Sequence, residues 1–294
     1  MDILEKHNED IPEFHSLIKL LDDDSDFVYN NVKERFIHYG ENAMHFLKDY
    51  FEDENYIVAQ RSREIYSIIN FTLLENKIKE VAYENNMLEK AVFLISKYEY
   101  PDVDYDNYKM ILDKMAIDLK EKIKKKYPLI ISSFDKIKML NAYFFYEKGF
   151  KGNTKNYYEP ENSYINRVID RKTGIPITLS IVYLLLAKRM EMPVFGVNIP
   201  SHFIVEYKDE KEEYFIDVFN YGVVISKEEA LNFLKQFGIY EKDFNNVPFI
   251  QPAGDREIIK RVLENLINIY EKEKDELRIE HLKKLQSYFF DKGS

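Results

Sequence analysis

The chain has 294 residues, 45% of them hydrophobic and 32% charged, with a net charge of −10 and no cysteine. That length suits one large domain or two ordinary ones with a real core, and the composition is that of a soluble globular protein rather than a disordered one. The acidic balance argues against a general nucleic-acid binder, which needs basic surface to neutralise phosphates, and the missing cysteine excludes disulfides, thiolate metal sites and a cysteine nucleophile together. The N-terminus, MDILEKHNEDIPEF, has no apolar signal core. The longest apolar run, Ile175 to Ala187, is interrupted by Pro176, Thr178 and Ser180 and falls short of the roughly 20 apolar residues a spanning helix needs. The expectation is a cytoplasmic protein with no membrane partner.

Phe14, Leu17, Ile18 and Leu21 recur at helical spacing. Asp22, Asp23, Asp24 and Ser25 interrupt that pattern and can cap a helix over 27–39, whose apolar face is Val28, Val32, Phe36 and Ile37 and which Gly40 stops. Helices follow at 43–51, with Asn42 as a cap, and at 57–74. An Asp-rich turn, helix, glycine stop and helix resemble a HEAT-like pair. One visible copy does not make a repeat, so a plain helical bundle stands beside that reading for residues 1–84.

Residues 88–97 form the next helix, which Pro101 ends, and Asp102 and Asp104 cap another over 105–126. Its end reads KEKIKKK. Lysines there complement the helix dipole; an anionic-lipid or nucleic-acid patch is the alternative, opposed by the charge of the whole chain. After a helix at 131–146, Gly149 and Gly152 lead into a polar, aromatic loop at 153–162 that separates an all-helical part from a mixed one. Tyr157, Tyr158 and Tyr164 call for burial, so this is no free linker.

A short helix at 163–169, capped by Ser163 or Asn162, precedes a central helix over 173–190. Ile181, Val182, Leu184, Leu185, Leu186 and Ala187 leave that helix no polar face for nearly two turns; a helix apolar all round is buried all round. Pro176 falls in its first turn, where a missing N–H costs little. Strands follow at 193–199, 202–207 and 213–219, the last two around a charged turn at 208–211. Phe203, Val205 and Tyr207 form one apolar face, and Tyr214, Ile216 and Val218 another; placing both on one side fixes the parity of the pairing. With the turn left unpaired, Tyr207 faces Glu212, Val205 faces Tyr214, Phe203 faces Ile216, and His202 faces Asp217 on the opposite side. Facing Cβ atoms lie about 4.5–5.5 Å apart, so a His–Asp contact follows from apolar pattern alone. An edge strand at 223–225, a helix at 227–237 capped by Ser226, a loop to Pro252 and an antiparallel helical pair at 255–270 and 276–290 complete the chain.

Several stretches resemble the transglutaminase-like family of SirB type, which also occurs fused to F-box and tetratricopeptide modules. They are Leu88 to Lys97 followed by Tyr100-Pro101-Asp102-Val103-Asp104; Phe150-Lys151-Gly152-Asn153, Tyr157-Tyr158-Glu159-Pro160 and Asn162-Ser163-Tyr164-Ile165-Asn166; Arg171 to Ser180; and Gly196 to Phe203. The resemblance covers about 88–219 and implies an α+β fold: an all-helical N-terminal part, then a papain/transglutaminase-like core over 85–250 with a buried central helix on a small antiparallel sheet. The C-terminal helical pair, 251–294, resembles a tetratricopeptide-like tail. The departures are as informative. The family's nucleophilic cysteine opens the central helix, and that position falls at or next to Pro176 here; Ser201 stands before His202 where the family usually has glycine.

His202 and Asp217 look like the surviving two-thirds of a Cys–His–Asp arrangement, in which the acid orients the imidazole and the imidazole takes a proton from the nucleophile. The bland reading is a structural hydrogen-bonded pair. Ser180 or Thr178 can stand in as nucleophile, or Ser180 can simply bond to backbone at the helix start. Asn162, Asn166 and Arg171 either line a polar pocket around Pro176 and Thr178 or cap helices and tie down the loop; Asn198 either adds an amide to that pocket or is a strand-end turn residue. His7, His15, His38, His45 and His281 show no ligand spacing, so neither metal nor cofactor is expected. The leading expectation is a non-catalytic protein-binding or scaffold module without a nucleic-acid partner. The alternatives are a hydrolase or acyl-transfer enzyme using His202 and Asp217 with a hydroxyl or water, and a small-molecule pocket without chemistry.

Overall fold

In a computed structural model, residues 13–199, 202–226, 228–229, 232 and 251–290 are described. They fall into two compact units, Met1–Glu80 and Val81–Ser294. In the first, helix α1 (Asp26–Tyr39) turns Val32 and Phe36 inward and ends where Gly40, at φ +57°, donates back to the carbonyls of Phe36 and Ile37. That backbone region suits glycine, which has no Cβ to clash. Helix α2 (Glu41–Lys48) starts directly after Gly40, so Asn42 lies inside it rather than capping it. Helix α3 (Tyr56–Val81) runs past the expected stop at 74. Phe14, Ile18, Leu21, Val32, Phe36, Leu47, Ile65 and Ile69 build the core of this unit, with the Phe14 ring 4.9 Å from Tyr39 and 5.3 Å from Phe46.

The second unit opens with α4 (Leu88–Glu99) and α5 (Tyr105–Lys126); the Asp104 carboxylate caps α5 by accepting from the Asn107 N–H at 3.2 Å. Helix α6 (Ser133–Asn141) widens into a π-helical turn at Ala142–Glu147 that buries Tyr143, Phe144 and Phe145. Strand β1 (Lys151–Gly152) then pairs in parallel with β2 (Thr173–Gly174), and between them lies helix α7 (Ile165–Arg171). Tyr164, rather than Ser163 or Asn162, stands at the N-cap of α7.

The central helix, α8 (Pro176–Arg189), begins three residues later than its apolar pattern suggests, because Thr173 and Gly174 are held by Lys151 and Gly152. Every residue from Pro176 to Ala187 is buried, as an all-round apolar helix requires. Its far end is fastened by Arg189, whose guanidinium makes a bidentate pair with Glu89 on α4 and a 2.6 Å bond to Asp113 on α5. Helix α8 contacts α5, α7 and strands β3 (Val194–Ile199) and β4 (His202–Lys208). With β5 (Glu213–Asp217), β6 (Val223–Ile225) and β7 (Pro252–Ala253) these strands form an antiparallel sheet of order β6-β5-β4-β3-β7. Most of the expected helix at 227–237 and the loop behind it lie outside the described residues; Ser226 accepts the Glu229 N–H at its start. Helices α9 (Asp255–Glu273) and α10 (Glu276–Ser287) close the unit, α9 lying against α4 and α8. This is an α+β fold.

One acid sits inside the sheet. Glu206 on β4 is 1% exposed, 3.7 Å from the Lys208 ammonium. Burial, helped by the neighbouring Glu213 and opposed by Lys208, pushes its carboxyl up to about 7. Between an ordinary carboxyl value and that raised one, the unfolded chain ionises while folded Glu206 keeps its proton. Wild-type stability therefore falls as pH rises from about 4.5 to about 7. Glu206→Gln removes that loss. The variant is expected to gain on wild type by up to about 3 kcal/mol across this window, with little difference at pH 4, as read by urea denaturation at a series of pH values.

Candidate functional site

The N-terminus of α8 is where helix geometry concentrates unsatisfied N–H groups and positive potential. Here it is closed. Pro176 occupies the first helical position and has no N–H to offer. The Thr178 hydroxyl, 1% exposed, donates to the Asn162 carbonyl at 2.6 Å and accepts the Ile175 N–H at 3.2 Å. Ser180 is fully buried, and its hydroxyl has no hydrogen-bond partner among the described residues. Neither hydroxyl is bonded to His202.

His202 opens β4, and Asp217 ends β5. Their side chains meet, Nε2 to Oδ2 at 2.9 Å. The strand register differs from the sequence expectation by two residues: Val205 faces Ile216, and Tyr207 faces Tyr214. The turn is the cause. The Asp209 carboxylate accepts the N–H groups of Lys211 and Glu212 at 2.8 Å, so the chain reverses over 209–212 and Lys208 joins the ladder opposite Glu213. A two-residue shift keeps every side chain on its face, and His202 reaches Asp217 as a diagonal neighbour instead of a facing one. Asp217 also accepts the N–H groups of Phe219 and Asn220 at 3.1 Å and the Asn220 amide at 2.8 Å. Burial works to raise its pKa, but the bonds from His202 and Asn220 prevail and hold it below the ordinary carboxylate value.

The other expected site residues are scattered in role. Asn162 is fully buried: its amide donates to the carbonyls of Asn156 and Tyr157, and it accepts from Asn153. Arg171 reaches Glu161 at 2.6 Å and Glu159 at 2.8 Å. Both fasten the 153–162 loop instead of offering donors to a ligand. Asn166 is buried, and its Oδ1 has no partner among the described residues. Asn198 accepts from Arg261 of α9, whose guanidinium also donates to the His202 carbonyl at 3.2 Å. Ser201 lies outside the described residues.

Arg261 was not anticipated, nor was the open cleft of about 430 Å³ one turn further along α9. Tyr157, Tyr158, Ile175, Asn265, Asn268 and Lys272 are among its lining residues. The Lys272 ammonium stands 3.2 Å from the centre of the Tyr158 ring, and Tyr157 connects to His202 through Phe219, with ring centres 6.2 and 6.5 Å apart. A signal existed: Arg261, Asn265, Asn268 and Lys272 recur at steps of four, three and four, which marks one polar stripe on a helix. Among the described residues, no group of three or more His, Asp or Glu side chains is placed to hold a metal ion, and no helix is long and apolar enough to cross a membrane.

Comparison with known proteins bears on this geometry. A UPF0162 protein of Xylella fastidiosa is 31% identical over 201 residues, 67% of this chain and 69% of the relative. F-box only protein 21 of Mus musculus is 29% identical over 139 residues, 46% of this chain and 22% of that protein. A UPF0162 protein of Haemophilus influenzae is 30% identical over 118 residues, 40% of this chain and 42% of the relative. No solved structure matches. The model of the transglutaminase-like superfamily matches residues 106–264, which contain α8, the sheet, His202, Asp217 and the first half of α9. With more than half of its length in that match and an antiparallel sheet carrying a His–Asp pair beside a buried helix, the chain belongs to the transglutaminase-like superfamily.

Proposed function

We propose that this is a SirB-type transglutaminase-like protein that works without catalysis, as a protein-binding or scaffold module. The start of α8 carries the reading. A thiolate cannot form in a chain without cysteine, and proline occupies the first position of the helix. The one hydroxyl of the first turn, Thr178, is spent on capping. An alcohol nucleophile needs a base within hydrogen-bond reach, and neither Thr178 nor Ser180 is bonded to His202. The flanks point the same way. Residues 1–84, read as HEAT-like, and 251–294, read as tetratricopeptide-like, suit recognition of a protein partner, and so does the likeness to an F-box protein. On this reading His202 and Asp217 are a structural pair that fixes the β4–β5 corner.

A second reading has one observation in its favour: the His202–Asp217 pair is intact, with Asp217 buried and backed by Asn220. That is the arrangement by which an acid orients an imidazole base for a hydroxyl or water nucleophile. A fluorophosphonate probe separates the two. No labelling of Thr178 or Ser180 is expected; labelling that disappears in His202→Ala overturns the scaffold reading. In a pull-down with wild type beside the His202→Ala/Asp217→Ala variant, mass spectrometry is expected to find bound partners and no chemically altered proteins.

The structural role of the pair makes its own prediction. Asp217→Asn weakens a buried hydrogen-bonded carboxylate, and the unfolding free energy at pH 7 is expected to fall by about 1–3 kcal/mol. Because the folded carboxyl titrates below its ordinary value of 3.8, its contribution is present above that value and drains away as pH falls through the folded one. The gap between wild type and variant is therefore expected to hold from pH 7 to about 5 and to narrow below about 4, measured by urea denaturation.

A further inference from the structure

The last turn of α5 carries Lys124, Lys125 and Lys126, all exposed, and residues 127–132 lead from it to α6. At the tip of that connection Leu129 and Ile130 are 94% and 88% exposed, more than any other large apolar side chain among the described residues. Tyr127 and Pro128 precede them. The Tyr127 N–H closes the end of α5 on the Ile123 carbonyl at 2.8 Å, and Ser132 caps α6 through the Asp135 N–H at 3.1 Å. The tip is thus held from both sides, with its aliphatic side chains standing in water.

The charges around it are asymmetric. Lys120 and Lys122, further back on α5, are joined to Glu191 and Glu147. On the α6 side, Asp135 is engaged with Ser132 and Lys138, facing Lys126 at longer range, and Asp209 with Ser133, Tyr207 and two N–H groups; on α5, the exposed Glu121 lies one turn before Lys125. What the surface presents is a short basic run ending in a convex apolar point.

A single exposed leucine is ordinary. Two adjacent aliphatic side chains, Leu129 and Ile130, on a held tip beside three lysines ask for a medium that is soft, apolar and bordered by negative charge. A folded protein partner would need a pocket shaped to a protruding point. Nucleic acid would satisfy the lysines and leave the aliphatic tip in water. We infer that residues 124–131 are a peripheral docking site for an anionic lipid bilayer, with Leu129 and Ile130 entering the interface and Lys124, Lys125 and Lys126 meeting the headgroups. The helix dipole explains why lysines stand at this end of α5; it does not explain the apolar tip. With a chain charge of −10 and so small a wedge, the association is weak, reversible and lost at high salt.

Co-sedimentation of the full chain with vesicles tests this. Binding is expected to vesicles of mixed phosphatidylcholine and phosphatidylserine at low salt, and to drop by about tenfold or more on phosphatidylcholine alone, as surface charge predicts. A similar drop is expected for Leu129→Ser/Ile130→Ser and for Lys124→Glu/Lys125→Glu/Lys126→Glu. The Leu129/Ile130 variant should leave the thermal midpoint unchanged, and the lysine variant should lower it by a few degrees at most, because it reverses favourable charge at the end of α5. Absence of binding to the mixed vesicles overturns the proposal. So does binding that the lysine variant abolishes and the Leu129/Ile130 variant leaves intact, which marks a general polyanion patch such as one for RNA.

Discussion

Burial of α8 from Pro176 to Ala187, all but its last two residues, is the constraint to which the second unit is fitted. Twelve consecutive buried residues, Pro176 to Ala187, leave the helix no wet face. Its ends therefore have to be closed by protein. At the C-terminal end Arg189 does this by pairing with Glu89 and Asp113, which also ties α8 to α4 and α5. At the N-terminal end the closure is made by a proline that removes one orphan donor and by Thr178, which satisfies Ile175 and recruits the Asn162 carbonyl. Replacing a large side chain within such a helix by alanine typically costs about 2–5 kcal/mol, so the helix is the wrong place to expect variation and the right place to read an altered function.

Closing the N-terminal end has a consequence for the loop before it. Asn162, whose backbone carbonyl accepts from Thr178, is also held by its side chain, through the carbonyls of Asn156 and Tyr157 and through Asn153. Arg171 and Arg167 hold the same loop through Glu159 and Glu161. This half-buried charged network fixes Tyr157 and Tyr158 against α9, where they form one wall of the cleft. Asn162 and Arg171, whose side chains could serve a ligand, are thus occupied in building a wall, and the cleft's polar side is supplied by α9.

The parts of this arrangement that were legible in the sequence are those carried by local pattern. The all-round apolar run of α8, the Asp104 cap of α5, the glycine stop after α1 and the alternation of β4 and β5 each follow from residues adjacent in the chain. What escaped depends on contacts between distant segments. The pairing of Lys151–Gly152 with Thr173–Gly174 shortens α8 at its start, and nothing within residues 173–190 announces it. Arg261 meets Asn198 and the His202 carbonyl across more than fifty residues of chain. Its spacing with Asn265 and Asn268 was visible in the sequence, but the element it would face was not.

The His202–Asp217 contact was reached from the sequence with the register wrong, and the reason is instructive. Apolar alternation fixes only which face a residue lies on, so it constrains the register modulo two. The turn chemistry of Asp209 chose between the permitted registers and moved the pairing by two residues. A contact between short side chains would not have survived that change. Histidine and aspartate span the diagonal, and Asp217 is held in place by the two N–H groups of the turn that follows it. Parity, reach and a braced acid were sufficient for the pair. A nucleophile depends instead on one atom at one helix position, and there the sequence had already written proline.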